Sequence, residues 1–139
     1  MDHLCYRTGS QEEYMDVKTE LSTMGHLLVE SLVGGRLIAT YKLHNRIPLI
    51  LRNGASVYLQ VIEVPSPKPG RNYASGLEHV EFVVPDLHQW QASHPLLQWD
   101  VSALIKKINP DLRLAFDGFS VKFHTQSLEK VIAMELAGE

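Results

Sequence analysis

The sequence predicts an α+β fold, in which two β-α-β-β-β modules form a curved mixed sheet around a central cavity, with the helices outside. Three observations lead there. A short acid-His-aliphatic-variable-aromatic pattern occurs twice, at Asp2-His3-Leu4-Cys5-Tyr6 and at Glu78-His79-Val80-Glu81-Phe82. Each copy is followed by helical and then strand-like periodicity. Between the halves, Pro65-Ser66-Pro67-Lys68-Pro69-Gly70 ends one strand run before the next begins. That linker is too short to tether independent domains, so residues 1–139 form one domain. Module one covers 1–67, module two 76–127, and a C-terminal helix 127–137.

In module one, residues 2–7 alternate as a strand, with His3, Cys5 and Arg7 on one face. Thr8-Gly9-Ser10 turns the chain into a helix over 11–24. Ser10 is its N-cap, Glu13 completes a capping box, and Tyr14, Val17, Leu21 and Met24 form its apolar face. Gly25 reads as the helix stop. Strands follow over 26–32 and 37–44, joined by the hairpin signal Gly34-Gly35. Pro48 and Asn53-Gly54 bracket a loop or short edge piece, and a last strand runs over 56–64. In module two, a strand over 77–84 ends at Pro85-Asp86, and a short helix occupies 87–93. Residues 99–108 are ambiguous but hold the place of a strand. Asn109-Pro110-Asp111 is a turn, and strands over 112–116 and 119–124 flank Asp117-Gly118. Ser127 caps the C-terminal helix.

A chain of 139 residues is long enough to bury a core without staples. The net charge of -3, with no basic run beyond Lys106-Lys107, argues against a nucleic-acid partner. No apolar run is long enough to span a membrane, and the N-terminus lacks signal-peptide character. The single Cys5 cannot form an internal disulfide, so a reducing compartment, by default the cytoplasm, is the expected location.

Of the 7 histidines, His3 and His79 hold equivalent places in the repeat. If each module pairs its first strand with its last, His3 lies beside Glu63 and His79 beside His124. Pseudo-two-fold symmetry then brings His3, Glu63, His79 and His124 to one point. Three imidazoles and a carboxylate suit Fe(II), Mn(II), Ni(II) or Zn(II). Read singly, each histidine is more often a hydrogen-bonded structural residue, and it is the repeat that lifts His3 and His79 above that level. Glu63, in an aliphatic strand, requires a cation, and Arg36 or Lys42 could serve in place of a metal. Glu81 competes with His124 for the remaining ligand position or supports the ligands from behind. His26, His88 and His94 read as structural or solvated, and Cys5 as a core or cavity-wall residue.

Several of these segments together resemble the YecM-type family. They are Asp2-His3, Gly35-Arg36, Lys42-Leu43-His44, Glu63-Val64-Pro65, 76–81 and Val121-Lys122-Phe123-His124, and they extend over nearly the whole chain. The resemblance implies a vicinal-oxygen-chelate fold, also called the glyoxalase/bleomycin-resistance/dioxygenase fold, with a metal site and no established substrate. That superfamily includes isomerases, dioxygenases, lyases and drug-sequestering proteins, so the fold does not fix the reaction. Members carry a helical segment ahead of the Asp-His motif, whereas this chain opens on Met1-Asp2-His3, which leaves strand pairing to hold His3. A homodimer would cover any face of the sheet left open.

Two functions follow. One is a metal-dependent isomerase or oxygenase-like enzyme acting on a small oxygenated molecule, with Glu81, Lys122 and His44 as unranked proton carriers. The other is a non-catalytic protein that binds a small molecule in the same cavity. A fold kept only for assembly, with a degenerate site, would lack the metal altogether.

Overall fold

A computed structural model describes residues 1–71 and 74–138 of the chain; residues 72, 73 and 139, and with them part of the linker between the modules, lie outside the description. The elements run β1 (His3–Arg7), α1 (Gln11–Met24), β2 (Gly25–Val33), β3 (Arg36–Ile50), β4 (Ser56–Pro65), β5 (Gly76–Val83), α2 (Leu87–Ser93), a 3-10 turn (Ser102–Ile105), β6 (Leu112–Ala115), β7 (Ser120–His124) and α3 (Leu128–Ala137). They form one curved seven-stranded sheet of order β2-β3-β4-β1-β5-β7-β6. Each module's first strand lies parallel to its last, β1 with β4 and β5 with β7. The modules join through the antiparallel pair β1–β5.

The local signals produce the expected elements. The Ser10 hydroxyl accepts the Glu13 N–H at 3.0 Å, which starts α1. The reciprocal half of the capping box is not made, because the Glu13 carboxylate accepts from the Ser75 hydroxyl at 2.6 Å and so ties α1 to the entry of β5. Gly34 and Gly35 both have positive φ, 60° and 82°, as a tight hairpin between right-twisted strands requires. Asp86 and Ser127 cap α2 and α3.

Three features differ from the sequence reading. β3 runs on through Pro48 to Ile50, with its register to β4 shifting between Lys42 and Ile47; its pairing with β2 ends at Leu43, so Pro48 sits where β3 has become an edge strand. In module two, the counterpart of β2 is reduced to one bridge, Asp100 to Arg113, followed by the 3-10 turn. The same chain segment serves packing instead, since Trp99 and Leu104 lie against the buried Val84, Leu87 and Leu112. Finally, α3 is more than an appendage. Its Glu129 accepts from Lys42 of β3 at 2.9 Å, and its first N–H, of Leu128, donates to Asp2.

Strand alternation divides the side chains between two faces. On one, α1 seals Tyr14 and Leu21 against Ala39, Tyr41, Leu43 and Val64, and α2 covers the module-two cluster. A side chain such as Val64, fully buried here, contributes about 1.5–3 kcal/mol by leaving water. The opposite face carries His3, His79 and His124. α1 is also tied to β2 by Glu30, which accepts from the Tyr14 hydroxyl at 2.6 Å and from Lys18. Lys18 first, and then Tyr14, hold the Glu30 carboxyl below its ordinary value. Stability from a depressed carboxylate is present above the unfolded pKa and is lost as pH falls through the folded one. Glu30→Gln is therefore expected to cost about 0.5–1 kcal/mol near neutrality, a gap that closes toward pH 3 in urea titrations repeated across pH.

Candidate metal centre

The inner face of β1 presents His3, Cys5 and Arg7, and the register decides what each of them meets. On one side His3 faces Val61 and Cys5 faces Glu63. On the other His3 faces Glu81 and Cys5 faces His79. Across β5 and β7, His79 faces Ser120, Glu81 faces Lys122, and Val83 faces His124. The two-fold relation between the modules thus equates His3 with His79, Cys5 with Glu81, and Glu63 with Lys122. His124 is not the neighbour of His79, as the repeat alone suggested. The parallel register sets Ser120 opposite His79 and His124 four residues further along, opposite Val83, and the position matching Glu63 is held by a lysine; nor is Glu63 the neighbour of His3, since it lies opposite Cys5.

The side chains nevertheless converge. Glu81 lies at the centre, with Oε2 2.7 Å from His3 Nε2 and 2.8 Å from His79 Nε2, and Oε1 3.1 Å from His124 Nε2. Glu63 Oε1 approaches His79 Nε2 to 3.8 Å. Donor atoms of His3, Glu63 and His79 all lie within 4.8 Å of one another, and those of Asp2, His3 and His124 form a second such group. His124 is therefore not brought together with Glu63 and His79. Neither cation expected for Glu63 is paired with it, because Arg36 faces Glu78 at 3.8 Å and Lys42 faces Glu129 at 2.9 Å.

His3 is 2% exposed and His124 0%. His3 is no frayed end: the Asp2 N–H donates to the Glu81 carbonyl at 2.8 Å and extends the pairing to the second residue. The His3 Nδ1 lies 2.7 Å from Asp2 Oδ2, which also accepts the Leu128 N–H at 3.0 Å. The start of α3 thereby fixes Asp2, Asp2 fixes the His3 ring, and Nε2 is turned toward Glu81. Sequence reasoning gave Asp2 no role, although the acid that precedes each histidine in the repeat was the available signal.

Glu78, the matching acid, behaves differently. The β1–β5 register shifts between Cys5 and Tyr6, which leaves Glu78 as the extra residue of a bulge. It turns into the same cleft as His79 and accepts from the Cys5 thiol at 3.3 Å. Burial first, then the Glu63 and Glu78 carboxylates, push the Cys5 thiol far up, so it is a protonated wall residue.

Burial alone would lower the His3 imidazole, but Asp2 and Glu81 outweigh it and raise it to about 9. Burial would likewise raise Glu81, yet His124, His3 and His79 hold its carboxyl far below the usual range. Close approach does not satisfy these rings. Among the described residues, His3 Nε2 and both ring nitrogens of His124 are buried without a hydrogen bond of acceptable direction. Buried nitrogens of this kind, beside two carboxylates, fit a divalent cation by donor chemistry as well as by place.

Beyond His79 and Glu63 a cleft of about 580 Å³ opens, into which Lys122 also faces. His44 is elsewhere: it is exposed beside His26, ring centroids 6.3 Å apart, and lines a separate groove with Thr23 and Met24.

The fold and the cluster define a two-module α+β protein that gathers histidines and carboxylates where its first strands meet. The family is more specific still: the model of the YecM protein family matches residues 1–135, and the chain belongs to that family. It is 26% identical to Protein YecM of Escherichia coli (strain K12) over 153 aligned positions, which cover 96% of this chain and 77% of that protein. It is 30% identical over 87 residues to an uncharacterized protein of Haemophilus influenzae, covering 63% of this chain and 43% of the relative. A solved structure described as Structural Genomics, Protein EC4020 superposes with a TM-score of 0.73 at 27% identity, over 96% of this chain and 75% of that one. None of the helices is long and apolar enough to cross a membrane among the described residues.

Proposed function

We propose that this protein binds one divalent metal ion through His3, His79, Glu63 and Glu81, and uses it on a small oxygenated molecule that enters from the cleft. The observation that carries the reading is the convergence of His3 Nε2 and His79 Nε2 on Glu81 Oε2, at 2.7 and 2.8 Å, with the buried His3 nitrogen left without a hydrogen bond of acceptable direction. Two imidazoles and two carboxylates suit Mn(II), Fe(II), Ni(II) or Zn(II) and leave a nearly neutral centre. His124 then stands behind Glu81 as its partner, and Asp2 stands behind His3. When bound, such an ion polarises a carbonyl or stabilises an enolate oxygen, the chemistry of an isomerase or an oxygenase-like enzyme of the vicinal-oxygen-chelate type. Around it the chain's own groups divide the work. Glu81 and the histidines orient the centre, the Cys5 side of the wall is neutral, and Lys122 presents an ammonium to the entering molecule. A non-catalytic binder with the same cleft is the second reading, supported by the presence of a lysine where symmetry with Glu63 calls for a ligand.

The test is thermal stability of metal-stripped protein with each ion added in turn. An ion at 100 times its dissociation constant is expected to add about 2.7 kcal/mol and raise the Tm accordingly. His79→Ala should abolish that gain. A stripped protein that no ion stabilises, or a gain that survives His79→Ala, would sink the assignment. A substrate screen on the loaded protein then separates enzyme from binder. Asp2→Asn leaves every ligand in place but loosens the His3 ring, and should weaken the best ion by about 10–100-fold in competition with a fluorescent chelator.

A further inference from the structure

We infer that the cleft beside the metal centre is a receptor for a small carboxylic acid with an apolar body, its carboxylate held by Lys122, Arg36, Arg113 and Arg7. The inference rests on the proposed function only for placing the acid's reactive end toward His79. The charge argument stands apart from the metal.

The chain carries net charge -3, yet four of its 13 Lys and Arg side chains line this one cleft. They come from separate strands, Arg7 from β1, Arg36 from β3, Arg113 from β6 and Lys122 from β7, so sequence proximity does not explain the cluster. Arg7, Arg36 and Lys122 are half-buried, while the Arg113 side chain is 41% exposed. Two anions share the cleft, Glu63 and Glu78. Glu63 faces His79, and Glu78 is engaged by the Cys5 thiol and, at 3.8 Å, by Arg36. Arg113 meets Asp100 only at 3.4 Å, and Arg7 donates its Nε to the Ala74 carbonyl, which positions its guanidinium without neutralising it. Lys122 has no carboxylate within ion-pair distance among the described residues. Partly desolvated cations short of counter-charge favour an anion, and guanidinium forks match the two oxygens of a carboxylate. The far wall is apolar: Phe116 and Phe119 stack with centroids 5.0 Å apart and planes at 9°. This combination selects an acid with a hydrophobic body over a bare inorganic anion.

The probe is phenylpyruvate, compared by isothermal titration with its methyl ester, which keeps both vicinal oxygens and loses the charge. Each is titrated into the metal-loaded and the metal-stripped protein. Phenylpyruvate should bind at least tenfold more tightly than the ester. Lys122→Met should weaken the acid about tenfold and leave the ester unchanged, and Lys122→Arg should restore the preference. Phenylpyruvate should also outcompete inorganic phosphate. Acid binding that persists without metal and still falls in Lys122→Met supports the receptor even where the metal assignment fails. Equal affinity for acid and ester, no acid binding in either form, tighter binding of phosphate, or an unaltered Lys122→Met overturns it.

Discussion

Gly25→Ala is expected to destabilise the protein by about 2–4 kcal/mol in urea unfolding, and Gly25→Val to leave little folded protein. The cause is proximity rather than dihedral preference. Gly25 has φ -166°, extended backbone that any residue adopts. A Cβ there would lie 2.2 Å from the Lys42 carbonyl oxygen and 2.8 Å from the Leu43 Cα, both backbone atoms that cannot rotate away. Gly25 pairs with Leu43 as the first residue of β2 while its N–H still closes the last turn of α1 onto the Leu21 carbonyl. One residue thus ends the helix and begins the strand with no spacer, and the close approach follows from that economy. Gly34→Ala is the control. Its φ of +60° is unfavourable for alanine, but nothing lies within 4 Å of a Cβ there, so its cost is limited to about 1–2 kcal/mol. Equal costs at the two positions would show that the β2–β3 backbone yields more easily than the contact implies.

The same glycine shows what kind of information the sequence carried. A helix stop at Gly25 was legible, because caps and periodicity are local properties of neighbouring residues. The reason for glycine was not, because it lies in a strand seventeen residues away. His3 and His79 were found for a local reason too, the repeated acid-His pattern. Their surroundings were not local. A shift of two residues along β7 decides whether Lys122 or His124 lies opposite Glu81, and no periodicity reports parallel register. The bulge that turns Glu78 into the cleft and the bond from Leu128 to Asp2 are likewise long-range events. In residues 99–108 the strand pattern gave way to packing, because Trp99 and Leu104 gain more from the α2 cluster than from a further ladder.

Glu81→Gln is expected to have the largest effect on the centre, and it separates the two residues that compete for the last ligand position. The substitution keeps the size of the side chain and removes the one anion that three imidazoles share. Removing one partner from a buried charged set costs about 3–5 kcal/mol, because what remains is uncompensated. Metal-stripped Glu81→Gln should therefore unfold at clearly lower urea than the parent. It should also lose the Tm gain from added ion, since a carboxamide neither neutralises the cation nor matches a carboxylate as a donor. His124→Gln should behave differently. His124 contacts Glu81 and Asp2 and groups with Asp2 and His3, but its ring nitrogens lie outside the group formed by His3, Glu63 and His79. That variant should lose stability, because it opens a fully buried site, yet keep most of the gain from metal. The reverse pattern, with the gain kept in Glu81→Gln and lost in His124→Gln, would move the ion to the Asp2, His3 and His124 side of the cluster. The entering molecule would then meet Glu81 before the metal, and Glu81 would become its proton acceptor rather than a ligand.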